Sequence, residues 1–176
     1  MHRLFVAIRP PEAIRDLLID VMDDGAEFRW QSDDQLHLTL RFVGEVERPL
    51  ANDLAAALAT LRAPPFELRL AGLDSFDRRS GGVLWAGVEP ADPVRTLAAR
   101  VERLCQSAGL WPERRAFHPH ITLARWRGPR SHEVREYLDG RKLTSPLFPV
   151  DSFVLFESQL SRHGAHYEAV ECFPLT

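Results

Sequence analysis

Apolar and polar positions fall into short blocks along the chain. Leu4 to Ile8 is an apolar run halted by Pro10-Pro11, which predicts a buried strand. Pro11 then opens a helix with Ile14, Leu17, Leu18, Val21 and Met22 on one face, and Asp23-Asp24-Gly25 ends it. Leu36 to Val43 predicts a strand stopping at Gly44. A second helix starts near Pro49, carries the stripe Leu50, Leu54, Leu58 and Leu61, and breaks at Pro64-Pro65. Phe66 to Leu73 alternates apolar with polar residues, as a half-buried strand does. Val83 to Val88 is another strand. The polar stretch Asp77 to Gly82 between them predicts a hairpin with a long loop. A third helix runs from Asp92-Pro93 to near Gly109, with Val94, Leu97, Val101, Leu104 and Cys105 inward. His120 to Trp126 is a strand and Ser131 to Leu138 a short helix. Ser152 to Gln159 and His166 to Phe173 are final strands around a turn at Gly164.

The order helix, aromatic, polar loop, strand occurs twice. One copy runs from Pro11 through Trp30 to the strand of His37. The other runs from Pro93 through Trp111 to the strand of His120. The histidines stand 83 positions apart (120 − 37), close to half of the 176 residues. An internal duplication would give two similar lobes facing each other across a cleft. Residues 1–176 are therefore expected to form one two-lobed domain.

Composition narrows the partners. Hydrophobic residues at 45% and charged residues at 27% make an ordinary globular balance, and the length supports a core without disulfide or metal staples. A net charge of −3 does not point to a general nucleic-acid binder, so any RNA contact is expected to be local, to one end or one nucleotide. Lys142 is the only lysine; arginine suits phosphate recognition, but coding bias is the favoured explanation of the excess. Cys105 and Cys172 have no zinc-site spacing, and Cys105 reads as a buried thiol. The N-terminal apolar run is too short for a signal peptide, and no stretch reaches membrane-span length. A soluble, cytoplasmic monomer is the expectation, with no membrane partner.

The chemistry lies in His37-Leu38-Thr39-Leu40 and His120-Ile121-Thr122-Leu123. Strand side chains alternate between faces, so His37 and Thr39 point one way while Leu38 and Leu40 point into the core. The second motif repeats this. Each strand thus offers the cleft one imidazole and one hydroxyl. Imidazole exchanges protons near neutral pH, and a threonine hydroxyl donates to a phosphate oxygen. Two such pairs would flank one phosphorus. One histidine would take a proton from water while the other gives one to the departing sugar oxygen. Each role is worth about 10²–10⁴-fold, with no cofactor and no metal. A single H-x-T-x occurs by chance; two copies on strands half a chain apart do not read that way.

These motifs carry a resemblance. Arg3-Leu4-Phe5-Val6-Ala7, Leu36 to Gly44, Val83 to Gly87, Phe117 to Arg125, Ser152 to Ser158 and His166-Tyr167-Glu168 together resemble the two-histidine phosphoesterase superfamily. Within it the chain looks like the RNA 2′,3′-cyclic phosphodiesterases, also called 2′-5′ RNA ligases. The resemblance implies a bilobal α+β fold of two duplicated lobes, with antiparallel sheets lining a central cleft and helices outside. It implies hydrolysis of RNA or nucleotide 2′,3′-cyclic phosphate ends to 2′-phosphomonoesters. It also implies that His37 is the proton donor and His120 the proton acceptor, an assignment the near-symmetric motifs do not make by themselves. Such enzymes can also join RNA ends through a 2′-5′ bond.

Several neighbours are candidate substrate contacts. Arg41 shares parity with His37, so a continued strand aims it at phosphate; a surface arginine is the competing reading. Arg125 has the wrong parity, although the resemblance implies substrate contact there, and a bulge would reconcile the two. Phe42 and Trp126 are candidate base-stacking surfaces; alternation turns Phe42 toward the core and Trp126 toward the cleft. Tyr167 is a further candidate. His118 and His120 form an H-x-H that, with His132, His163 or His166, suggests a metal site; Pro119 between them and the absence of a carboxylate or cysteine at ligand spacing weigh against it. His118 reads instead as support for His120. A binding module without turnover is the remaining alternative.

Overall fold

The computed structural model describes residues 1–23, 25 and 27–176; Asp24, placed above at the end of the first helix, lies outside the described residues. The strands are β1 (His2–Ile8), β2 (Arg29–Trp30), β3 (Leu38–Val46), β4 (Phe66–Arg78), β5 (Gly81–Glu89), β6 (His120–Arg127), β7 (Phe148–Val150), β8 (Ser152–Ser161) and β9 (Gly164–Pro174). The helices are α1 (Glu12–Asp20), α2 (Arg48–Leu58), α3 (Ala91–Ser107) and α4 (His132–Gly140). Among the described residues the strands join into one nine-stranded sheet, ordered β7-β4-β5-β6-β3-β1-β8-β9, with β2 also bonded to β6. The named pairings are antiparallel, so the class is α+β.

The seam of this sheet places the site. β3 and β6 meet through Leu38 opposite Ile121. Beyond that point they part, and β2 fills the wedge by pairing Arg29 with Arg125 and Trp30 with Ala124. Four strands extend to either side of the seam along one sheet. The helices cover one face. There the motif leucines and Ile121 join Leu18, Leu54, Val94, Leu97 and Val101 in a single buried cluster. Burying each such side chain contributes about 1.5–3 kcal/mol, which pins the register that turns both histidines to the opposite face. On that face a second cluster of Phe5, Ala7, Val154 and Phe156, with Tyr167 against it, packs beside His37.

The hairpin between β4 and β5 is longer than expected. Pairing continues from Leu73–Ala86 to Arg78–Gly81, leaving a two-residue turn where a long loop was predicted. Backbone bonding does not need apolar side chains, so polar Asp74, Asp77 and Arg78 extend the ladder into solvent. Gly82 permits it: a Cβ there would lie 2.1 Å from the Trp126 ring. The aromatic member of the sequence repeat does not carry over. Trp30 packs on Phe28 and Tyr137, whereas Trp111 is 89% exposed. Cys105 is buried, and burial pushes its thiol up to about 11, so it is an inert core residue.

Candidate active site

His37 and His120 are held by the same local device. His37 Nδ1 lies 2.7 Å from the Gln35 carbonyl oxygen, and His120 Nδ1 lies 2.6 Å from that of His118. A carbonyl only accepts, so Nδ1 carries the hydrogen in both rings. In the neutral imidazole Nε2 is then the nitrogen that accepts or delivers a proton. The Leu38–Ile121 pair sets the two motifs side by side at the seam, and His120 lies close enough to His37 to lower its pKa.

The loop before His37 is braced from several directions. Arg9 Nη1 donates to the carbonyls of Asp33 at 2.9 Å and Leu36 at 2.8 Å, and Arg15 Nε donates to the Asp33 carboxylate at 3.0 Å. Gln35 closes a reciprocal cap with Ser32 and reaches Ala165 on β9 at 2.8 Å. Gln35 therefore fixes both the loop and the histidine. Arg9 was not among the residues singled out from the sequence. Its guanidinium sits near His37, and only its place at the end of the first strand hinted at this.

Electrostatics group the site. Burial pushes the His37 imidazole down to about 4, against the opposing bond to Gln35; Arg9, His120 and Arg125 lower it further. His120 is also lowered, first by burial and then by His118 and Arg125. Both shifts favour the neutral imidazole. An arriving phosphate anion supplies the opposite charge that favours protonation. Arg125 is the cation common to both histidines.

One-residue bulges decide which neighbours join them. In β3, Val6 pairs with Arg41 and Ala7 with Thr39, which leaves Leu40 as the extra residue. In β6, Leu84 pairs with Ala124 and Trp85 with Thr122, which leaves Leu123 as the extra residue. Both bulges fall on the last residue of the motif, and each flips the parity that follows. Arg125 therefore shares the histidine face. It pairs with Val83, and Trp85, opposite Thr122, lies on that face as well. Trp126 turns the other way and is buried at 3% exposure against Phe28, so it offers no stacking surface in the cleft.

Arg41 is the corresponding correction. The β3 bulge carries it to the helix side, where it is 8% exposed. Its guanidinium pairs with Glu102 of α3 and donates to the Phe42 and Trp111 carbonyls. It ties the sheet to α3 and does not aim at the cleft. Phe42, which alternation assigned to the core, is instead 51% exposed, with its ring 6.3 Å from Phe5.

Aromatic rings surround each histidine. Phe5 lies 4.8 Å and Tyr167 5.3 Å from the His37 ring, Tyr167 edge-on. Phe76 lies 5.1 Å and Trp85 5.8 Å from the His120 ring. Phe5, Phe76 and Trp85 were absent from the sequence-based candidates, because strand pairing across long separations brings them here. Among the described residues no three His, Cys, Asp or Glu side chains converge as metal ligands. No helix among the described residues is long and apolar enough to cross a membrane.

Comparison with known proteins places this geometry in context. The family model of the 2′-5′ RNA ligase superfamily matches residues 4–162. An RNA 2′,3′-cyclic phosphodiesterase of Aeropyrum pernix is 35% identical over 83% of this chain and 85% of its own length. One from Thermus thermophilus is 35% identical over 98% of this chain and 90% of its own. A crystal structure of E. coli LigT complexed with 3′-AMP superimposes with a TM-score of 0.80 at 28% identity, covering 99% of this chain and 98% of that one.

Proposed function

The chain belongs to the 2′-5′ RNA ligase superfamily, and from that premise we propose that it hydrolyses RNA 2′,3′-cyclic phosphate ends to 2′-phosphomonoesters. The observation that carries the reading is the matched pair of Nδ1–carbonyl bonds, which leaves both Nε2 atoms for proton transfer across one phosphate. In this scheme the cyclic phosphate sits between the motifs. Arg125 and the Thr39 and Thr122 hydroxyls hold its non-bridging oxygens. His120 Nε2 accepts a proton from water as that water attacks phosphorus. His37, protonated when the anion binds, donates from Nε2 to the departing 3′-oxygen, and the 2′-ester remains. His37 as donor and His120 as base follow the family resemblance.

Phe42 and Tyr167, on the His37 side, form the surface for the terminal base. The fit of 3′-AMP, ATP and NADP+ to LigT structures supports a nucleotide-sized occupant. The same reading takes the two halves of the chain as duplicated units. The shared motif, carbonyl clamp and bulge position support it. A cytoplasmic monomer remains part of the proposal.

The test is incubation of a 2′,3′-cyclic-phosphate-ended oligoribonucleotide with the protein in excess EDTA, with the product isomer identified. A 2′-phosphate end supports the scheme. Turnover only on adding back a divalent ion overturns its metal independence, and a 3′-phosphate end reverses the leaving group.

A further inference from the structure

We propose that Arg29, Arg127 and Arg78 continue from Arg125 as a track for the backbone phosphates of the RNA strand behind the cyclic end, so that the site takes the terminus of an oligoribonucleotide in preference to a cyclic mononucleotide. The inference rests on the hydrolase reading above, which sets the cyclic phosphate beside Arg125.

The four arginines share the cleft face. Arg29 of β2 stands directly opposite Arg125 of β6. Its neighbours Phe28 and Trp30 pack against Tyr137 on the helix side, so Arg29 turns the other way. Arg127 follows Arg125 by two residues and keeps its face, about 6.5–7 Å further along the strand. Gly81 pairs with both Arg127 and Arg78, which carries the row on to β4. The residue between those two arginines therefore has no side chain. Arg78 stands two residues from Phe76, whose ring is edge-on to His120 at 5.1 Å. The row thus starts beside the histidines and runs out along the β4–β5 hairpin.

The fold itself has no use for these cations. Among the described residues, Arg29, Arg78, Arg125 and Arg127 make no ion pair and no side-chain hydrogen bond, and all are exposed. Other arginines are engaged: Arg9 and Arg15 with Asp33, Arg41 with Glu102, Arg130 with Asp77 and Arg141 with Asp23. Like charges directly opposite on paired strands are destabilising, so Arg29 beside Arg125 weakens the β2–β6 pairing unless an anion lies between them. Of the nearby acidic residues on β4, Asp77 has the other parity and holds Arg130 at 3.2 Å, while Asp74 lies beyond Phe76 from Arg78. The net charge of −3 conceals this local concentration of positive charge. A nucleic-acid strand supplies a phosphate at every step, which a row of guanidiniums matches and a single nucleotide does not. Phe76, 40% exposed, adds an aromatic face beside the row, which suits a single strand with unstacked bases.

The full chain is given 2′,3′-cyclic AMP and, separately, a ribotetranucleotide ending in a 2′,3′-cyclic phosphate, whose three internal phosphates match the three added arginines in number. For each, kcat/KM is measured from about 50 to about 200 mM NaCl. The readout is the tetranucleotide-to-mononucleotide ratio, in which the shared chemistry cancels. Three phosphate contacts to a single strand predict a log–log slope of about −2 for this ratio, a fall of roughly twentyfold across that range. Arg29→Ala, Arg78→Ala and Arg127→Ala together should flatten the ratio, and each alone should remove about 0.7 of the slope. The three arginines changed together to Lys should keep the slope, which counts charges. A salt-independent ratio in the wild type, a mononucleotide preferred at the lowest salt, a slope retained without the three cations, or a slope lost with Lys in their place would each overturn the proposal. Hydrolysis of neither substrate would instead sink the hydrolase reading, and the track with it.

Discussion

Lowering the pH from about 8 to about 5 perturbs His37 directly, because the fold keeps this ring neutral. Burial depresses its pKa to about 4 from an ordinary 6.5, mainly through lost hydration and secondarily through Arg9, His120 and Arg125. Below about 6.5 the unfolded chain takes up a proton that the native site refuses, so stability is full above that pH and declines as pH falls toward 4. A native value of about 4 against 6.5 unfolded corresponds to about 2 kcal/mol lost at pH 5 relative to pH 8. The ring is half-buried, and solvent screening trims the figure to about 1–2 kcal/mol. Urea unfolding of the wild type and of His37→Asn at both pH values isolates it. The asparagine keeps a donor toward the Gln35 carbonyl and does not titrate. The wild-type midpoint should fall by about 0.5–1 M more than that of the variant, for a slope near 2 kcal/mol/M. Equal falls in the two proteins would refute a His37 held neutral by the fold.

The same groups shape activity. The pH profile of kcat/KM should be bell-shaped with its optimum on the acid side of the ordinary histidine range, because both free imidazoles are lowered; a flat profile through that range would contradict paired proton transfer. His37→Ala and His120→Ala should each lose about 10²–10⁴-fold in kcat with the near-native circular dichroism spectrum retained. Arg125→Ala should raise KM for the cyclic phosphate at least about tenfold while leaving Tm close to wild type, since Arg125 is exposed and faces the cleft. Arg41→Ala should do the opposite. It removes one partner from Glu102 and from each of two carbonyls, so a loss of about 1–3 kcal/mol in thermal unfolding with KM unchanged is expected.

The strands and helices were legible in the sequence wherever apolar periodicity ran unbroken, as in Leu4 to Ile8 or the α3 stripe. The site was legible in its centre. His37, Thr39, His120 and Thr122 follow from period-two alternation bounded by core leucines. What alternation does not reveal is a single extra residue. The bulges at Leu40 and Leu123 exchange the faces of Arg41 with Phe42 and of Trp126 with Arg125, so parity arguments beyond them invert. Superimposing the two motifs would have helped, because it matches Arg41 to buried Ala124 and Phe42 to Arg125. Phe5, Phe76 and Trp85 reach the histidines only through pairings that join distant segments, which no local pattern encodes.

The central claim is a division of labour, with His37 protonating the 3′-oxygen and His120 activating the nucleophile. A cyclic substrate with sulfur in place of the 3′-oxygen tests it most directly, because a thiolate departs without a proton. Hydrolysis rates of both substrates by the wild type, His37→Ala and His120→Ala are the measurement. The account predicts that sulfur restores His37→Ala to near the wild-type rate and leaves His120→Ala impaired. Rescue of His120→Ala instead, or of neither variant, would contradict it.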